Sequence, residues 1–159
     1  MSHTRAYRKG TVEEEDFPVR LVSEHLEVPD MLVWVDLCDP SADELHELAS
    51  ELGLHELAVE DALESHQRPK LDHYPTHLFL SCHMVEMTDG TLIVHEIDTF
   101  VNPRWLITVR KSDACDVQQI VDHWDRSPDL AVYGVAYLLY GLLDTVADSY
   151  FDAVGAFDD

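Results

Sequence analysis

Carboxylates are the side chains of this sequence most able to do chemistry, and two groups of them are placed unusually. Glu60 and Asp61 are adjacent within Leu54-His55-Glu56-Leu57-Ala58-Val59-Glu60-Asp61-Ala62-Leu63. At about 100° per residue, Leu54, Leu57, Ala58 and Ala62 make one apolar helical stripe, and Asp61 falls inside it. A carboxylate turned into an apolar seam loses hydration, so it needs a cation, a hydrogen-bond donor or a way back to water. The chain offers Arg68 or Lys70 just beyond the helix; the alternative is a group outside the chain, either a divalent cation or a neighbouring subunit. The second group is Asp144, Asp148 and Asp152, which recur every four residues and draw an acidic line along one helix face, an arrangement that is often simply solvated.

Other chemistries fit less well. His55-Glu56 invites comparison with the zinc-binding HExxH helix, but the second histidine of that motif is replaced by Val59. His73 and His77 are four apart but straddle Pro75, so one helix face cannot hold both. Cys38, Cys82 and Cys115 are odd in number and widely spaced, which argues against a disulfide framework or a structural zinc site and suits a reducing cytoplasm. A metal-dependent hydrolase could use acidic pairs and histidines, yet no ligand set at enzyme-like spacing, nucleophile motif or glycine-rich phosphate loop accompanies them. A non-enzymatic chain is therefore expected.

Net charge is −22, from 32 acidic and 10 basic side chains. Such a surface repels nucleic-acid backbones and anionic lipid and attracts cations, although the acidic surface of a halophile has the same composition. Residues 1–30 lack the apolar segment of a secretory signal. The longest uncharged apolar run, Leu130 to Leu143, falls short of the roughly 20 residues that a membrane span needs.

The elements that must position these groups can be read in order. Residues 1–10 are expected to be an edge strand, followed by an acidic exposed loop at Glu13 to Asp16 and a short helix from Phe17 to Glu27 that Pro29 ends. Met31 to Leu37 is a near-continuous apolar run, the pattern of a central strand covered on both faces. Ser41-Ala42-Asp43-Glu44 is a capping box opening a helix that Gly53 closes. The Glu60-Asp61 helix follows, and Pro69 forces the chain out of it into a strand.

Leu78 to Met87 and Thr91 to Val101 are two strands joined by Asp89-Gly90, a strong signal for a two-residue hairpin. Pairing Thr88 with Thr91 sets Cys82 opposite Ile97 and Met84 opposite His95 on one face, and Phe79 opposite Phe100 and Val85 opposite Val94 on the other. Both faces are mostly apolar and should be covered. On the second face lies a polar island, Ser81 opposite Asp98 and His83 opposite Glu96, for which mutual hydrogen bonding is expected. Trp105 to Val109 returns as a strand, Ser112 caps a helix carrying Val117, Ile120, Val121 and Trp124, and a last helix runs from about Leu130. The order implies an α/β fold: a three-layer α/β/α domain over residues 1–128 with a mixed, partly antiparallel sheet, and residues 129–159 as a C-terminal helix.

The run LHELAVEDALESHQRPKLDHY resembles the pattern of the CorA magnesium and cobalt transporters, in which a helix carrying Glu-Asp leads into His-Gln-Arg-Pro-Lys. Leu32-Val33-Trp34-Val35-Asp36-Leu37 resembles that family's Trp-bearing strand, and Tyr137-Leu138-Leu139-Tyr140 through Asp144, Asp148, Tyr150 and Phe151 the entry to its long stalk helix. The resemblance covers roughly residues 30–155. It implies a cytoplasmic domain on the inner side of the cell membrane, belonging to a homopentamer that conducts magnesium and cobalt. It further implies regulatory, weak Mg2+ sites shared between subunits, with Glu60 and Asp61 facing acidic residues of the next subunit's stalk and Asp144 contributing to a second site, Asp148 lying on the same acidic face as Asp144. Co2+ or other divalent cations could substitute. Relatives that transport zinc share the architecture, and nothing in these motifs separates them.

Overall fold

The structure, a computed structural model, describes residues 1–158. The chain forms seven strands: β1 Ser2–Arg8, β2 Thr11–Glu15, β3 Met31–Cys38, β4 Lys70–His73, β5 Leu78–Thr88, β6 Thr91–Asn102 and β7 Trp105–Arg110. They make one sheet in the order β2-β1-β3-β7-β6-β5-β4, antiparallel except for the parallel pair β3–β7. The helices are α1 Val22–Glu27, α2 Ala42–Leu52, α3 Glu56–Leu63, α4 Gln118–Arg126 and α5 Val135–Asp158, with short 3-10 turns at Val19–Leu21 and Pro128–Tyr133.

Helices cover both faces, which is the three-layer α/β/α arrangement expected. On one face Val33, Val35, Ile107, Val109, Phe79 and Phe100 pack under Val22, Leu45, Leu48, Ala58, Val59 and Ala62 of α1, α2 and α3. On the other, Trp34, Leu106, Cys82, Met84 and Ile97 pack under Ile120, Val121, Trp124, Leu138, Leu142 and Val146 of α4 and α5. β3 and β7 lie inside the sheet with nearly every side chain buried, which explains their unbroken apolar runs. One exception is a buried ion pair: Arg110 donates to both oxygens of Asp36, at 2.6 Å from Nη2, and Thr108 Oγ1 donates to Asp36 at 2.8 Å.

The hairpin has the expected register. Thr88 pairs with Thr91, Cys82 with Ile97, Phe79 with Phe100 and Ser81 with Asp98, closed by Asp89 (φ 50°) and Gly90 (φ 75°) as a two-residue turn requires. It outruns the helices, so Leu92, Ile93 and Val94 are exposed rather than covered. Four other expectations need correction. β1 is not an edge, because Glu13 to Glu15, expected as loop, pair with it as the outermost strand β2. That strand is exposed throughout, and its charges suit an edge that must not recruit another chain. α4 begins at Gln118, since Ser112 Oγ accepts from Ala114 N in a turn and caps no helix. α5 begins at Val135, because Gly134 (φ 74°) breaks the 3-10 turn from it.

Candidate metal centre

α3 is a short helix held at both ends by side chains rather than by length. His55 caps it by accepting from Leu57 N at 3.1 Å, and its ring stacks on Tyr74 at 4.2 Å. His55 N donates to His77 Nε2 at 2.9 Å, so His77 must carry its proton elsewhere, and burial holds its ring below the usual histidine range. His55 thus serves as the helix cap and His77 as the acceptor that holds it. The buried face of α3 is Ala58, Val59 and Ala62, whereas Leu57, placed in the stripe by its spacing, is 57% exposed. Eight residues turn too little for a broad stripe, and the face that packs is rotated toward Val59.

That rotation takes Asp61 to the margin of the interface. Its carboxylate meets the Lys70 ammonium, which also reaches Asp72 Oδ2 at 3.0 Å. Asp61 first and Asp72 second push the lysine above its ordinary range. The in-chain cation offered by Pro69-Lys70 therefore satisfies Asp61. Glu60, one position earlier, is exposed and has no ion pair or side-chain hydrogen bond among the described residues.

Asp144 projects from α5 toward α4 and meets His123 Nε2 at 2.7 Å. The other ring nitrogen, His123 Nδ1, is buried with no hydrogen-bond partner. Close approach of the two helices makes this contact possible: Gly141 lies one turn before Asp144, and a Cβ there would stand 2.5 Å from the Trp124 ring. Asp148 and Asp152 are exposed, so the acidic line is solvated past its first member. Glu60 and Asp61 belong to the layer on one face of the sheet and Asp144 and Asp148 to the layer on the other. Among the described residues no three His, Cys, Asp or Glu side chains converge to hold a metal. Within one chain the predicted site residues do not form one site.

The polar island of the hairpin differs from expectation. Register puts His83 beside Glu96, but they do not bond each other; His83 Nε2 meets the Gln67 carbonyl at 2.9 Å and Glu96 Oε1 accepts from Gln67 N at 2.5 Å. Lys111, which sequence reasoning missed, reaches into the island, 3.1 Å from Asp98 Oδ2 and 3.5 Å from Glu96 Oε2. Extending the β6–β7 register by one residue past Ile97↔Arg110 would have placed it there.

Residues 29–159 match the family of CorA-like Mg2+ transporter proteins. The chain belongs to that family. Its CorA-like sequence is 31% identical over 137 residues to the putative metal ion transporter YfjQ of Bacillus subtilis, covering 86% of this chain and 42% of that protein. It is 26% identical over 135 residues to the cobalt/magnesium transport protein CorA of Thermotoga maritima, covering 79% and 37%. The chain thus spans less than half the length of both. The fold matches the CorA magnesium transporter of Methanocaldococcus jannaschii with TM-score 0.68 at 16% identity, over 98% of this chain and 48% of that one. The ZntB cytoplasmic domain of Vibrio parahaemolyticus matches with TM-score 0.61 at 15% identity, over 96% and 62%. No helix among the described residues of this CorA-like chain is long and apolar enough to cross a membrane.

Proposed function

We propose that this chain is the cytoplasmic regulatory domain of a CorA-like magnesium and cobalt transporter, with residues 1–128 as the α/β body and 129–159 leading into a stalk. In this reading it lies on the inner side of the membrane, works in a homopentamer and catalyses no reaction. The observation that carries it is the placement of the acidic pairs. Glu60 and Asp61 occupy one layer and Asp144 and Asp148 the other, so a cation touching both groups must join two copies of the chain.

Carboxylates suit magnesium, which keeps most of its waters and needs only one or two of them per contact. Bringing two carboxylates to about 4 Å costs roughly 4 kcal/mol at an effective dielectric near 20, less where salt screens them. With a divalent cation between them the sign reverses. Abundant cytoplasmic magnesium then holds neighbouring copies together and the pore closed, and depletion lets them part, so the transported ion is also the regulator. Lys70 and His123 temper this. Lys70 already neutralises Asp61 and the His123 ring already hydrogen-bonds Asp144, so the sites are weak and the unpaired Glu60 and Asp148 engage first.

A zinc-transporting relative is the second reading. The fold it shares with the ZntB domain and the imidazole beside Asp144, a better zinc ligand than a magnesium one, favour it. Glu60→Gln, Asp61→Asn and Asp144→Asn together in a full-length transporter carrying this domain test the proposal. Uptake should persist at internal magnesium that closes the wild type, and the domain should lose magnesium-dependent protection from protease. Unchanged closure and protection would remove these residues from the sensor.

A further inference from the structure

Two carboxylates and one ammonium meet beneath the C-terminal end of α3. Asp98 is fully buried, the Glu96 side chain is 9% exposed and that of Lys111 24%. Lys111 Nζ donates to the Ala62 carbonyl in the last turn of α3, and Glu96 and His83 hold the backbone of Gln67 in the loop that follows. Neither Asp98 oxygen has an aligned hydrogen bond, nor do Ser81 Oγ opposite it or Glu96 Oε2 beside it. The groups facing Asp98 are Ser81 across β5, Glu96 and Lys111, with Cys82 close by; Lys70 stands one strand further, opposite Ser81, and is engaged by Asp61 and Asp72. His66, His95 and Cys115 line the cavity that opens beside Glu96 and Lys111. Fully ionised, Asp98, Glu96 and Lys111 carry one surplus negative charge in a place that water reaches poorly.

We propose that Asp98, Glu96 and Lys111 form a proton-sensitive latch that seats the end of α3 and residues 64–69 on the sheet. With a proton taken from solvent onto Asp98 the cluster is neutral and the latch holds. With Asp98 ionised, the surplus charge loosens the Lys111 and Gln67 ties and draws water through the cavity. Burial raises the Asp98 carboxyl from 3.8 to about 6, against the pull of Lys111. A raised carboxyl contributes stability that is full below the unfolded value and is lost as pH rises through the folded one, so the latch weakens between about pH 4 and pH 6. Any effect of this loosening on cation binding by Glu60 and Asp61 rests on the function proposed above, but the latch itself needs no metal.

Amide hydrogen exchange of Glu64 and Gln67, read in chelator and corrected for intrinsic rates, tests it in wild type and Asp98→Asn at about pH 5 and about pH 7.5. Wild type should lose about tenfold of its protection at the higher pH, while Asp98→Asn, neutral throughout, should keep it. Carboxyl 13C titration of Asp98 in wild type supplies a check that needs no variant, with an expected midpoint near 6. A midpoint below about 4, or equal protection at both pH values in wild type, would overturn the latch.

Discussion

Asp61 illustrates what residue types alone can and cannot decide. Its adjacency to an apolar stripe called for a cation, and Lys70 supplies one, but the stripe assigned from Leu57 was misplaced because one exposed leucine on a two-turn helix outweighs little packing. Asp36 was less legible. Within Leu32-Val33-Trp34-Val35-Asp36-Leu37 it reads as a polar interruption, and its partner Arg110 lies 74 positions away, beyond any local pattern. Both charges are buried, 0% and 4% exposed, so removing one strands the other. Arg110→Met is therefore expected to destabilise the fold by about 3–5 kcal/mol in urea unfolding, and Asp36→Leu combined with it should recover much of that loss. Equal costs for the single and double variants would show that Arg110 acts through its packing rather than its charge.

At the scale of elements, local chemistry was read well wherever a turn or cap carries it. Asp89-Gly90 specified the pairing of eleven residues of β5 with β6, and the Ser41–Glu44 capping box is present with both of its bonds. What failed was non-local: the acidic run Glu13 to Glu15 became a strand only because β1 lay beside it, and the start of α4 is set by Val117 packing into the core rather than by Ser112. The α4–α5 crossing was also invisible, because nothing in Leu139-Tyr140-Gly141 announces that Trp124 needs the space over Gly141. Gly141→Ala gains helix propensity but drives a methyl into that ring, so a net loss of about 1–3 kcal/mol is expected. Trp124 fluorescence should shift with it, and His123–Asp144 should separate. A variant as stable as wild type would mean that α5 can slide on α4 without cost.

The whole molecule places its two acidic groups on opposite layers and so cannot complete a shared site alone. That arrangement follows from connectivity, since α3 and α5 are delivered to different faces of one sheet, and no spacing of acidic residues along the chain reveals it. The family resemblance suggested the residues, and the fold sets them in separate layers. The surplus of negative charge further opposes association of copies unless cations screen it or bind. Without magnesium the 159-residue chain is expected to be a monomer or at most a weak dimer.

Sedimentation velocity of this chain in magnesium chloride, against sodium chloride at matched ionic strength, tests the central claim most directly. Magnesium should promote self-association of the wild type beyond what sodium does, and Glu60→Gln, Asp61→Asn and Asp144→Asn together should abolish the difference. If the triple variant associates with magnesium as the wild type does, or if sodium is as effective, these carboxylates are ordinary surface charge and the cation does not join copies through them.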